Sequence, residues 1–153
     1  MTTKPFTRPF KAEYFAKRET KAVNMRWKMS LFPPQARLFL QCQSNGQIIH
    51  VPIRAEPMLI GVNGTQTNKP HSYVDLTGIN GNQYQILRYH CQIERRDDAL
   101  YITDLNTRSG TFMNGIRLLP NTPHLLHNRA TLKLGLLAFN IQFIYKNQPA
   151  TTS

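Results

Sequence analysis

The sequence predicts an all-β sandwich of about eleven short strands, preceded by a basic N-terminal arm. From Ala36 onward, apolar residues recur with a period of two. Turn signals built from Gly, Asn, Asp and Pro punctuate that pattern roughly every 8 to 12 residues. No segment between Ala36 and Tyr145 reads as a helix of any length.

The elements follow in order. Residues 1–35 form the arm, with Lys4, Arg8, Lys11, Lys17, Arg18, Lys21, Arg26 and Lys28 against only Glu13 and Glu19, a net +6. Good helix formers fill Lys11 to Met29, but the amphipathicity is weak, and Pro33-Pro34 ends any helix. Four aromatics, Tyr14, Phe15, Trp27 and Phe32, stand amid this charge. They are expected to anchor the arm on a partner.

Leu38, Leu40 and Cys42 begin the alternation. Ser44-Asn45-Gly46 turns the chain, and Gln47 to Ile53 returns, with Pro52 marking an edge or a strand end. Met58 to Val62 is a short buried strand. Polar loops at Asn63–His71 and Thr77–Asn82 flank the strand-like Tyr73 to Leu76. Cys91, Ile93 and Arg95 alternate, Asp97-Asp98 turns, and Ala99 to Leu105 pairs back. Thr107 to Gly110 is a tight polar loop. Thr111 to Met113 extends again, and Asn114-Gly115 is a strong two-residue hairpin signal. Ile116 to Leu119, His124 to His127, Arg129 to Leu134 and Leu137 to Tyr145 complete the strands. The first and last are both well patterned and are expected to pair. The organisation is thus arm 1–35, sandwich 36–146 and polar tail 147–153.

The charge is lopsided: 19 Lys and Arg against 8 Asp and Glu, a formal +11. Such a surplus favours acidic partners, namely an acidic protein face, nucleic acid or an anionic membrane surface. Cys42 and Cys91 fall in apolar strand patterns and read as buried thiols. Met1 to Phe6 has no signal-peptide core, which points to a cytoplasmic protein. The five histidines form no metal-ligand motif, and no catalytic fingerprint appears. Neither enzymatic activity nor a metal or cofactor is expected.

Four motifs in order resemble those of the forkhead-associated (FHA) domain family, over about Ala36 to Tyr145. The family's glycine–arginine pair aligns with Gly61-Val62. Its serine–arginine–x–histidine motif aligns with Leu87-Arg88-Tyr89-His90. Its aspartate, loop and asparagine–glycine turn align with Asp104, Thr107 to Thr111 and Asn114-Gly115, and its late leucine–glycine with Leu134-Gly135. The resemblance implies a two-sheet sandwich with binding loops at one end and, in the family's usual work, recognition of a phosphothreonine peptide. It also implies that Gly61, His90, Gly110 and Gly115 support the loops.

The phosphate ligands are degenerate. Val62 stands for the first arginine, Leu87 for the serine and Ser109 for the loop asparagine. A charge-assisted bond to phosphate is worth on the order of 1.5 to 3 kcal/mol, so the first two changes together cost roughly 100-fold or more in affinity. Arg88, Thr107, Arg108, Ser109, Thr111 and Asn114 remain as candidate peptide or phosphate contacts. Against this, Arg108 reads as a solvated loop residue and Arg88 as the partner of a carboxylate such as Asp104.

Three functions follow. The first is a non-catalytic interaction module, an adaptor or accessory subunit docking an acidic protein surface by its loops and arm. The second is a phosphothreonine reader with altered ligands in kinase signalling. The third is a charge-driven binder of nucleic acid or anionic membrane.

Overall fold

The computed structural model of the chain describes residues 29–79 and 81–146. Eleven strands form two sheets. The strands are β1 (Arg37–Cys42), β2 (Ile48–Val51), β3 (Met58–Gly61), β4 (Tyr73–Asp75), β5 (Cys91–Arg96), β6 (Ala99–Asp104), β7 (Thr111–Met113), β8 (Ile116–Arg117), β9 (His124–Leu125), β10 (Thr131–Leu134) and β11 (Leu137–Ile144). One sheet has the order β2-β1-β11-β10-β7-β8, the other β4-β3-β5-β6-β9. The two-residue period of the sequence becomes the inward and outward faces of each strand. On β11, Leu137, Phe139, Ile141 and Phe143 are buried. The first and last strands pair as expected, from Arg37 opposite Ile144 to Cys42 opposite Phe139. Cys42 and Cys91 are buried free thiols.

Turn chemistry fixes the register. Asp97 and Asn114 adopt φ of 54° and 51°, left-handed values that short polar side chains tolerate. Asn114 and Gly115 (φ 81°) together make the β7–β8 hairpin turn. Pro52 follows directly on edge strand β2, where no ladder partner needs its missing N–H.

The structure corrects one arm residue. Phe32 is fully buried in the core, edge-to-face on Phe143 with ring centroids 5.0 Å apart. It does not present its ring to a partner. Its backbone N–H donates to the Asp98 carbonyl at 2.7 Å, and Arg95 donates to its carbonyl while lying over its ring. The segment around Pro33-Pro34 therefore closes one end of the sandwich. Ser30 is also buried. Tyr14, Phe15 and Trp27 lie outside the described residues, as does the tail from residue 147.

Candidate functional site

The loop between β6 and β7 is organised by one buried carboxylate. Asp104 ends β6 and is 2% exposed. It accepts hydrogen bonds from the Thr107 N–H (3.0 Å), the Thr107 hydroxyl (2.7 Å) and the Thr111 hydroxyl (2.7 Å). Thr107 in turn accepts from the Gly110 N–H at 2.9 Å. Both threonines are buried and their hydroxyls are spent inside the loop. They are its internal frame rather than the peptide contacts that the sequence suggested. Asn114 is also committed to the fold: its side-chain oxygen accepts from the Thr131 N–H at 2.9 Å.

His90 links two loops through its two ring nitrogens. Its Nδ1 accepts from the Leu87 N–H at 3.1 Å, so Nε2 carries the proton and donates to the Gly110 carbonyl at 2.8 Å. Burial pushes the imidazole pKa below its ordinary 6.5, and the Gly110 bond and the Asp104 charge offset this only in part. The unfolded chain therefore binds a proton at a higher pH than the folded one. Full stability is present above about pH 6.5 and is lost as pH falls from there through the depressed folded value. We expect a denaturation midpoint lower at pH 5.5 than at pH 7.5. The His90 ring signals in NMR should stay in the neutral form at a pH where a free imidazole is protonated.

The segment from Tyr84 to Arg88 is gripped from both sides. A Cβ at Gly61 would lie 2.5 Å from the Leu87 carbonyl oxygen and closer still to that of Arg88. One at Gly135 would collide with the Tyr84 and Gln85 carbonyls. Ser109 donates to the Gln85 carbonyl at 2.7 Å, Leu136 N–H to the Tyr84 carbonyl at 2.8 Å, and Gly135 N–H to the Gly110 carbonyl at 3.0 Å. Three loops thus converge around residues 84–88, 108–110 and 135–136.

The cations divide between them. Arg88 is already engaged: it donates to the Asn63 side-chain oxygen at 3.0 Å and to the Asn68 carbonyl. Its partners are these groups and not Asp104. Arg108 is exposed at the loop tip, and its guanidinium has no hydrogen bond or ion pair among the described residues. Arg117 is a residue the sequence reading passed over. It donates to the Thr107 and Arg108 carbonyls at 3.2 and 3.0 Å and lies over the Phe112 ring. Its register opposite Phe112 across the Asn114-Gly115 turn was the available signal.

The opposite flank is braced by Asp75. Burial acts to raise its pKa, but hydrogen bonds from Thr77 and the Asn63 N–H outweigh this, with help from Lys69, and the net shift is downward. The Tyr73 hydroxyl donates to the Arg88 carbonyl at 2.6 Å, and burial, with the Asp75 charge beside it, pushes its pKa up to about 12.

Three aliphatic side chains stand among the polar residues of these loops. Val62, whose N–H donates to the Leu87 carbonyl, packs half-buried against the core. Leu87 is 45% exposed, and Leu136, across the converging loops, 56%.

The profile of the FHA domain family matches residues 68–135. Residues 68–135 of this sandwich belong to the FHA domain family. Protein FraH of Nostoc sp. (strain PCC 7120) is 32% identical to the chain over 108 residues, 67% of this chain and 37% of that protein. The chain therefore spans little more than a third of the length of this curated relative. The N-terminal FHA domain of S. cerevisiae Rad53p, solved with a phosphothreonine peptide, superposes with a TM-score of 0.54 at 19% identity, over 71% of this chain and 94% of that one. The yeast splicing factor Pml1 superposes with a TM-score of 0.55 at 14% identity, over 72% and 80%. The FHA domain of CT664 from Chlamydia trachomatis gives 0.53 at 18%, over 71% and 98%. At these identities the likeness to solved structures is one of fold. FHA domains are typically non-catalytic protein-interaction and phosphopeptide-interaction modules.

Proposed function

We propose that this FHA domain docks a protein partner through its loop end without requiring phosphothreonine, as an adaptor or accessory subunit of a larger assembly. The observation that carries the proposal is chemical. Exposed Leu136 adjoins the same 84–88 segment through its N–H on the Tyr84 carbonyl, and where the family resemblance implies an arginine and a serine for phosphate, the chain has Val62 and exposed Leu87. Neither side chain donates a hydrogen bond, and a phosphate there loses hydration without compensation. An aliphatic or aromatic side chain of a partner gains about 25 cal/mol for each Å² of apolar surface buried on it. The net charge of +11 favours a partner whose surrounding surface is acidic. The solved structure of Pml1 describes its integration into the RES complex, an instance of an FHA-like fold serving as a subunit.

A second reading has one observation behind it. Arg108 is exposed beside Ser109 and its guanidinium makes no hydrogen bond or ion pair among the described residues, so it can meet a phosphate or an acidic side chain. Titration of the full chain with a degenerate phosphothreonine peptide library separates the two. The proposal expects no binding tighter than about 1 mM, and expects the double variant Val62→Arg/Leu87→Ser to gain phosphopeptide affinity. Micromolar binding by the native chain that is lost in Arg108→Ala would establish the second reading instead.

A further inference from the structure

Acidic residues are absent from one whole layer of the molecule. The sequence has no Asp or Glu between Glu19 and Glu56, and none after Asp104. All six strands of the larger sheet come from those two stretches. Every acidic residue in the described part belongs to the other sheet or to the β2–β3 and β5–β6 connections.

The outward side chains of the six-stranded sheet follow from burial and register. Arg37 is exposed on β1, opposite Ile144. Lys133 on β10 lies opposite Ala138 and Phe112, and Phe112 opposite Arg117. Arg37 and Lys133 are thus offset along β11 by the six-residue step from Ala138 to Ile144, about 20 Å at 3.3 Å per residue. Between them stand hydrogen-bonding groups without charge: Gln41, Asn140, Gln142 and Thr131.

We infer that this face binds the sugar-phosphate backbone of duplex nucleic acid, without sequence preference. Lys and Arg with amide and hydroxyl side chains are the groups that contact phosphate and sugar, and the absence of carboxylates removes the repulsion an ordinary mixed surface would present. The offset of about 20 Å matches roughly six nucleotide steps along a duplex axis. The two outward phenylalanine rings of this face, both half-buried, already have neighbours. Phe112 has Lys133 Nζ at 5.3 Å and the Arg117 guanidinium at 5.8 Å from its centroid, and Phe39 has the His50 ring at 5.2 Å. Among the described residues of this face, these neighbours compete with an unpaired base for the rings, which favours a duplex over a single-stranded ligand. A partner held by apolar burial would call for a continuous apolar patch. The two exposed isoleucines of the face, Ile48 and Ile144, sit opposite Gln41 and Arg37, four residues apart on β1, and form no such patch.

The test uses the full chain and a fluorescently labelled 20-base-pair mixed-sequence DNA duplex, with anisotropy read between 50 and 200 mM salt. Binding should weaken steeply with salt and be indifferent to sequence. Arg37→Gln/Lys133→Gln should flatten the log–log salt slope by about 1.8 and weaken binding at 100 mM salt by roughly 10- to 60-fold. Its thermal midpoint should fall by no more than a few degrees, as expected for loss of the Lys133 contact with Phe112, and Arg37→Lys/Lys133→Arg should bind like the native chain. A second variant, Lys17→Gln/Arg18→Gln/Lys21→Gln, separates out the basic arm. The inference is overturned if duplex binding is absent, or if only the arm variant weakens it. It is also overturned if the double sheet variant loses binding to phosphatidylserine–phosphatidylcholine vesicles while its DNA binding stays native.

Discussion

Replacing Asp104 by alanine is expected to collapse the recognition loop and lower stability by on the order of 3 to 5 kcal/mol. The reasoning is local. Three donors converge on this buried carboxylate, two hydroxyls and one backbone N–H. Alanine supplies no acceptor, water has little access to a group 2% exposed, and the donors are left unsatisfied. Thr107 would also lose the orientation in which it accepts from the Gly110 N–H, so the damage reaches the glycine on which His90 is docked. Asp104→Asn keeps one acceptor oxygen and should lose distinctly less. Urea denaturation followed by circular dichroism measures both. A cost below about 1 kcal/mol for the alanine variant would show that the loop is held by something other than this carboxylate.

The second large effect is expected at Gly61. Its backbone is ordinary strand, so the requirement comes from proximity: the Leu87 and Arg88 carbonyls lie where a Cβ would stand. Both are backbone atoms, and no flexible side chain can move aside. Gly61→Ala must displace the 87–88 segment, with the Val62-to-Leu87 hydrogen bond and the Leu87-to-His90 bond that hold it. A destabilisation of about 3 kcal/mol or more is expected, together with loss of partner docking. Chemical-shift changes spreading from Gly61 through residues 84–90 to Gly110 would mark the route. Changes confined to β3 would contradict it.

Much of this architecture was legible in the residues. Alternating burial from Leu38 to Phe143, the Asn114-Gly115 turn, the Asp97-Asp98 turn and the pairing of the first and last strands follow from period and turn chemistry. These are local properties written into consecutive residues. What was not legible depends on contacts distant in sequence. Phe32 lies in a basic segment beside two prolines and reads as a surface anchor. Only the crossing of that segment over the sandwich end, with Arg95 on its carbonyl, puts it in the core. Thr107, Thr111 and Asn114 look like ligand donors because small polar residues crowd a loop. Asp104 and Thr131 take up those groups internally. Arg117 was missed because its role is to cap carbonyls nine and ten residues earlier.

The claim that the loop end docks a protein through Val62, Leu87 and Leu136 rather than a phosphate meets its most direct test in one capture experiment. The full chain is immobilised and presented with extract from the native source, with and without prior phosphatase treatment, beside the variant Leu87→Asp. The account predicts one defined set of proteins, retained after phosphatase treatment and lost with Leu87→Asp. Capture abolished by phosphatase and indifferent to Leu87→Asp would contradict it.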